Sequence, residues 1–183
     1  MSTTATTAAD VIVFWRDAGY QRWFERDAAF DARCRTHLLD AHFAASRREL
    51  DHWMADADGA LALVLLLDQI PRNVFRDSAH SYATDPLALH YAAAAIAAGF
   101  DREVDPMLRI FLYMPFEHSE DIADQQRAVA LTTVLGDASY SRYAILHRDV
   151  IARFGRFPHR NAALGRVNTP EEQAWLDAGG GFG

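Results

Sequence analysis

Ala60 to Leu67 is eight apolar residues in a row, and polar residues follow with no spacer: Asp68, Gln69, Arg72 and Asn73. A helix apolar on every face belongs at the centre of a domain, surrounded by other helices. Pro71 cannot donate a backbone hydrogen bond to the Leu67 carbonyl, so the helix should kink or break where the polar residues begin. Asp68 and Arg72 lie four apart, close enough to pair if the turn persists. Two readings stay open. Either the pair is a buried salt bridge closing the kink, or the freed backbone groups and Arg72 face a cleft.

The rest of the chain supplies helices to surround that centre. Sustained two-residue alternation is missing, as is any Asn-Gly or Asp-Gly hairpin flanked by β-branched runs, whereas cap, apolar stripe and glycine stop recur. Expected helices run from Ala8 to Asp17 with a stop at Gly19, from Asp27 to about Leu50 as one or two pieces, and from an Asp58 cap to Gln69. Others follow an Asp85 cap to Gly99, span Pro106 to about Tyr113, follow Asp121 to Gly136, follow a Ser139 cap to Gly155, and begin at Thr169–Pro170. That makes roughly nine short helices and an all-α fold. The 183 residues suit one domain, 1–183, with 1–7 and 178–183 as frayed ends.

Charge narrows the function. The net charge is -7, and every one of the 18 basic residues is arginine. The absence of lysine excludes Schiff-base and P-loop lysine chemistry. The acidity argues against a nucleic-acid or anionic-membrane partner. One cysteine, Cys34, excludes an internal disulfide and a cysteine-rich zinc site. No secretory signal or spanning apolar run stands out, so a cytoplasmic location is expected. No metal or cofactor is expected.

Two further clusters carry chemistry. "YMPFEHSED" holds Glu117 and His118 ahead of a helix cap that accounts for Ser119, Glu120 and Asp121. A carboxylate beside an imidazole is the minimal set for general acid–base work or half a metal site. From Val150 to Pro170 there is no acid, yet Arg153, Arg156, Arg160 and Arg166 are present with His159, so a window of +4 sits in a chain whose remainder is -11. Guanidinium groups beside a fresh helix start suit a phosphate or carboxylate; the competing reading is an internal ion-pair network. His147 shares a helical face with Tyr140, Ala144, Ile151 and Phe154 and therefore points inward.

"LLLDQIPRNVFR", "ATDPLAL", "YMPFEHSED", "HRDVIARFGRFPHRNAALGR" and "TPEEQAWL", in that order, resemble the bacterial family called domain of unknown function 924. The similarity runs from about Val11 to Leu176. It implies a helical fold like that of tetratricopeptide domains, and no activity. Motif residues matching here include Asp68, Gln69, Pro71, Arg72, Asn73, Glu117, His118, His147, Arg156, His159, Arg160 and Asn161; Ile70 stands where phenylalanine is expected. The leading expectation is a cleft for an anionic small molecule. Glu117, His118 and His159 would move protons, and Asp68, Gln69, Arg72, Asn73, His147, Arg156, Arg160 and Asn161 would bind the ligand. The rival is an adaptor holding a peptide or protein partner on a concave helical face.

Overall fold

The computed structural model describes residues 6–182, and all regular structure among them is helical. Helix α1 spans Ala8–Phe24 and α2 spans Ala28–Ser46. The central rod begins as α3, Ala57–Val64, passes through a π-turn over Leu65–Gln69 and ends as α4, Ile70–Val74. Then come α5 (Asp85–Ala98), α6 (Met114–Glu117), α7 (Ile122–Leu135), α8 (Ala138–Phe154) and α9 (Pro170–Asp177). Short 3-10 turns, among them Ala79–Tyr82, Arg109–Leu112 and Pro158–Arg160, join them.

The apolar octet lies where its composition requires: every residue from Ala60 to Leu67 is fully buried. Around it α1 and α5 pack on α3, and α2 packs on α4. Trp15, Phe30 and Phe111 fill the adjoining layer, with Trp15 edge-on to Phe111 at 5.4 Å. α7 and α8 form a hairpin that packs on α6, with Leu131, Leu135 and Tyr140 against the main core. A second, smaller apolar cluster of Val150, Ile151 and Phe157, with Phe154, Trp175 and Phe182 against it, lies beyond.

The helix boundaries differ from the sequence expectation in informative ways. Gly19, expected as a stop, kinks α1 at φ 76° and the helix resumes to Phe24. The caps shift upstream: Asp56 rather than Asp58 caps α3, Asp137 rather than Ser139 caps α8, and Thr84 rather than Asp85 precedes α5. Pro106 to Tyr113 forms a 3-10 turn only over Arg109–Leu112, too short to repeat an apolar stripe. The kink expected at Pro71 is absorbed by the π-turn, which lets the rod continue through the proline.

Of the ends expected to fray, 1–5 and 183 lie outside the described residues. Thr7 is ordered as a capping box with Asp10, its Oγ1 accepting from the Asp10 amide at 3.2 Å. Phe182 packs onto His147.

Candidate functional site

A π-turn beside a proline strands backbone carbonyls, and three consecutive ones are satisfied here by side chains. Leu66 O pairs with His42 Nδ1 at 2.8 Å, Leu67 O accepts from Thr84 Oγ1 at 2.6 Å, and Asp68 O accepts from Arg72 Nη1 at 2.5 Å. These three carbonyls are therefore accounted for, and Asp68 is fixed at the turn's inner face with no exposure.

From Asp68 the polar groups form a chain. Its Oδ1 faces His118 Nδ1 at 2.8 Å and Arg72 Nη1 at 3.4 Å, while Oδ2 accepts from Gln69 Nε2 at 2.6 Å. Arg72 grips Asp85 with two bonds of 2.8 and 2.9 Å. Asp85 Oδ2 also accepts from Arg160 Nη1, at a longer 3.3 Å. The Arg160 guanidinium is sandwiched between Tyr82 and Phe157, 4.6 and 4.4 Å from their ring centroids. Burial opposes the charge of Asp68, but Arg72 and His118 outweigh it and hold the carboxyl well below its usual range. Burial and Arg72 together depress His118.

The second carboxylate–imidazole pair sits beside the first. α6 ends in Glu117, and Gln125 Nε2 clamps the loop after it by donating to Glu117 O and Ser119 O at 2.6 Å each. Glu117 Oε1 lies 3.1 Å from His147 Nδ1, and that nitrogen also donates to Tyr143 O at 2.9 Å. A carbonyl can only accept, so His147 carries its proton on Nδ1 and leaves Nε2 as a lone pair. The same logic holds for His118 against the ionised Asp68. Burial and the charge on Asp68 push the Glu117 carboxyl up to about 8, which keeps it protonated at neutral pH. Burial pulls His147 down to about 3; burial and Arg160 pull His159 down to about 4. The cluster thus pairs neutral imidazoles with a neutral acid at pH 7.

The arginine window resolves mostly into ion pairs. Arg153 pairs with Glu171 at 2.8 Å, Arg156 with Glu172 at 2.7 and 2.8 Å, and Arg166 with Glu120 at 2.8 and 2.9 Å. Glu120 also accepts from the Phe157 amide at 2.9 Å, which pins the window to the Glu117–His118 loop. Arg160 is the exception. It is 6% exposed, and its one bond to a carboxylate is the long one to Asp85. Arg160 Nε and His159 Nδ1 are buried without a hydrogen-bond partner among the described residues. Burial, with Arg72 nearby, pulls the Arg160 guanidinium down to about 10.

Several expected site residues stand apart. Arg156 serves the capping box of α9 through Glu172, and Asn161 Nδ2 bonds Asn168 at 2.8 Å and Glu172 at 3.4 Å. Asn73 bonds Asp31, 2.8 Å away on α2. Gln69 braces Asp68. Asp68, Arg72, Glu117, His118, His147, His159 and Arg160 remain connected, with Phe157 as the common wall for His147 (5.6 Å) and His159 (5.4 Å). Sequence reasoning missed Asp85, Tyr82, Phe157 and Phe182 as members. Asp85 carried a signal, since an acid beside Thr84 leaves two candidates for one cap. The aromatic residues carried none.

The model of the family described as "Bacterial protein of unknown function (DUF924)" matches residues 11–180. A solved structure of a protein of unknown function from Agrobacterium tumefaciens is 54% identical and superposes with a TM-score of 0.91, over 93% of this chain and 97% of that one. No curated protein matches the chain. Among the described residues no helix is long and apolar enough to cross a membrane. With the match extending over nearly its whole length, the chain belongs to the DUF924 family of bacterial proteins.

Proposed function

We propose that the Arg160 cluster binds a small molecule bearing a carboxylate or phosphate and moves a proton on it. The observation that carries this reading is that two of the six unpartnered buried side-chain atoms among the described residues, Arg160 Nε and His159 Nδ1, fall on adjacent residues. Native interiors satisfy nearly all such groups, and an orphaned charged donor costs more than a neutral one. An anion against Arg160 would satisfy its Nε, select the His159 tautomer with the proton on Nδ1, and restore the guanidinium to its ordinary range. Arg72 stands behind it as a second cation, already held by Asp68 and Asp85.

The chemistry follows from the proton positions. His118, its Nδ1 proton directed at Asp68, offers a basic Nε2; Glu117, neutral at pH 7, offers an acid. A base and an acid with oppositely displaced affinities, beside an anion anchor, is the arrangement that proton abstraction and return require. His159 supports the anchor. Asp68 and Asp85 are positioning residues.

The test is a thermal-shift titration with phosphate, acetate and aromatic carboxylates. A ligand at ~100 times its dissociation constant adds about 2.7 kcal/mol to the native state. Wild type and Arg156→Ala should both be protected, and Arg160→Gln should fold without being protected. Protection that survives Arg160→Gln, or a wild type that no anion protects, overturns the reading.

A second reading, an adaptor with a tetratricopeptide-like hairpin surface, draws on one observation. Tyr20 is 56% exposed and Phe24 41% exposed; their rings lie 5.0 Å apart, with Tyr140 6.2 Å from Phe24. Exposed aromatic clusters mark protein contacts. A partner lost on Tyr20→Ser but kept on Arg160→Gln would favour it.

A further inference from the structure

The segment Gly179–Phe182 lies over the Arg160 cluster, and its path is sterically specified. The Gly179 and Gly180 amides bond Leu176 O and Trp175 O, each at 2.9 Å. At Gly180 the backbone crosses the Trp175 indole so closely that a Cβ would come within 2.3 Å of the ring. Gly181 follows at φ 146°, a conformation that side chains with a Cβ rarely adopt. Beyond Gly180 the segment makes no backbone hydrogen bond to another described residue. What seats it is one ring. Phe182 stacks on His147 with centroids 3.6 Å apart and 16° between planes, and stands edge-on to Phe157 at 6.2 Å and to His159 at 5.6 Å.

That arrangement is a flat slot walled by three rings, with the Arg160 guanidinium 4.4 Å from the Phe157 centroid at its side. The Phe182 ring that fills the slot is only partly buried. It satisfies none of the polar atoms it adjoins, and His159 Nδ1 and Arg160 Nε stay without partners while it is seated. Beyond Gly180 its anchorage is light: the contacts of one ring, with no backbone hydrogen bond to another described residue.

We propose that the slot held by Phe182 is the ring subsite of the anion site, and that Gly179–Phe182 is a strap displaced by a ligand with a flat ring joined to its anionic group. The inference rests on the anion-binding reading of Arg160. The ring replaces Phe182 against His147, and the anionic group reaches Arg160 Nε and His159 Nδ1. The strap competes with its own ligand, so apparent affinity is reduced by the fraction of time it is seated.

Calorimetric titration of the full chain tests this with two matched pairs of probes: benzoate against acetate, and phenyl phosphate against inorganic phosphate. Phe182→Ala should bind the two ring-bearing anions roughly tenfold more tightly than wild type, since one seated aromatic pair is worth about that factor. Acetate and phosphate should change by less than about twofold. Phe182→Leu, which keeps apolar contact without a flat ring, should fall between. It also carries the comparison if Phe182→Ala does not fold. Equal changes for ringed and ringless anions, or none for either, overturn the strap while leaving anion binding at Arg160 intact. If none of the four probes binds any of the proteins, the anion reading and the strap fall together. Unfolding of both Phe182 variants makes the ring a core element and overturns the strap.

Discussion

His118 directs its Nδ1 at Asp68 Oδ1 over 2.8 Å, joining the inner face of the π-turn to a loop 50 residues away in sequence. The contact fixes the imidazole's tautomer and ties the central rod to the loop after α6. Arg72 Nη1 shares the same oxygen at 3.4 Å, so Asp68 holds two groups at once.

Asp68→Asn should therefore destabilise the protein by roughly 3–5 kcal/mol, the usual cost of breaking a buried ion pair by removing one partner. Urea denaturation at pH 7 reads it. A loss below about 1 kcal/mol would mean that Asp85 alone supports Arg72.

Stability should peak near pH 6.5. Glu117, raised to about 8 from an ordinary value of 4.5, keeps its proton in the native state after the unfolded chain has released it. Its contribution is thus full below pH 4.5 and lost as the pH rises to about 8. His147 and His159, depressed to about 3 and about 4 from 6.5, work in the opposite sense: the unfolded chain protonates first, so their contribution is full above pH 6.5 and lost as the pH falls. His118 is shifted the same way, and three imidazoles outnumber one carboxyl below pH 6.5. Glu117→Gln should flatten the alkaline limb, gaining roughly 2–4 kcal/mol over wild type at pH 8 and nothing at pH 4. Urea midpoints across pH 4–9 show it; an unchanged alkaline limb would mean Glu117 is ionised in the native protein.

Thr84→Val should cost about 1–3 kcal/mol by leaving the Leu67 carbonyl buried and unpaired. Adding Pro71→Ala, which returns an N–H to the rod, should recover part of that loss in a double-mutant cycle. Additive effects would show that the restored N–H does not reach Leu67 O.

Helices were legible in the sequence because their signals are local. Thr169, Asp121 and Asp27 cap α9, α7 and α2 as their positions imply, and Gly99, Gly136 and Gly155 end α5, α7 and α8. Inward-facing His147 followed from helical period alone. Partner choice was not legible, because it is decided across long separations. Asp85 looked like a cap, yet it meets Arg160 75 residues on. Arg156 looked like a member of a cleft, yet Glu172, recognisable only as a capping acid, holds it. Phe182 followed a run of glycines, and nothing in a run of glycines says that each turn has a steric reason.

The most direct measurement is a crystal structure of the protein grown with benzoate or phosphate at saturating concentration. An acceptor oxygen should lie within about 2.7–3.2 Å of both Arg160 Nε and His159 Nδ1. If both nitrogens are instead bonded to groups of the protein, and no anion lies beside Arg160, the cluster is a structural ion-pair network and the binding account is wrong.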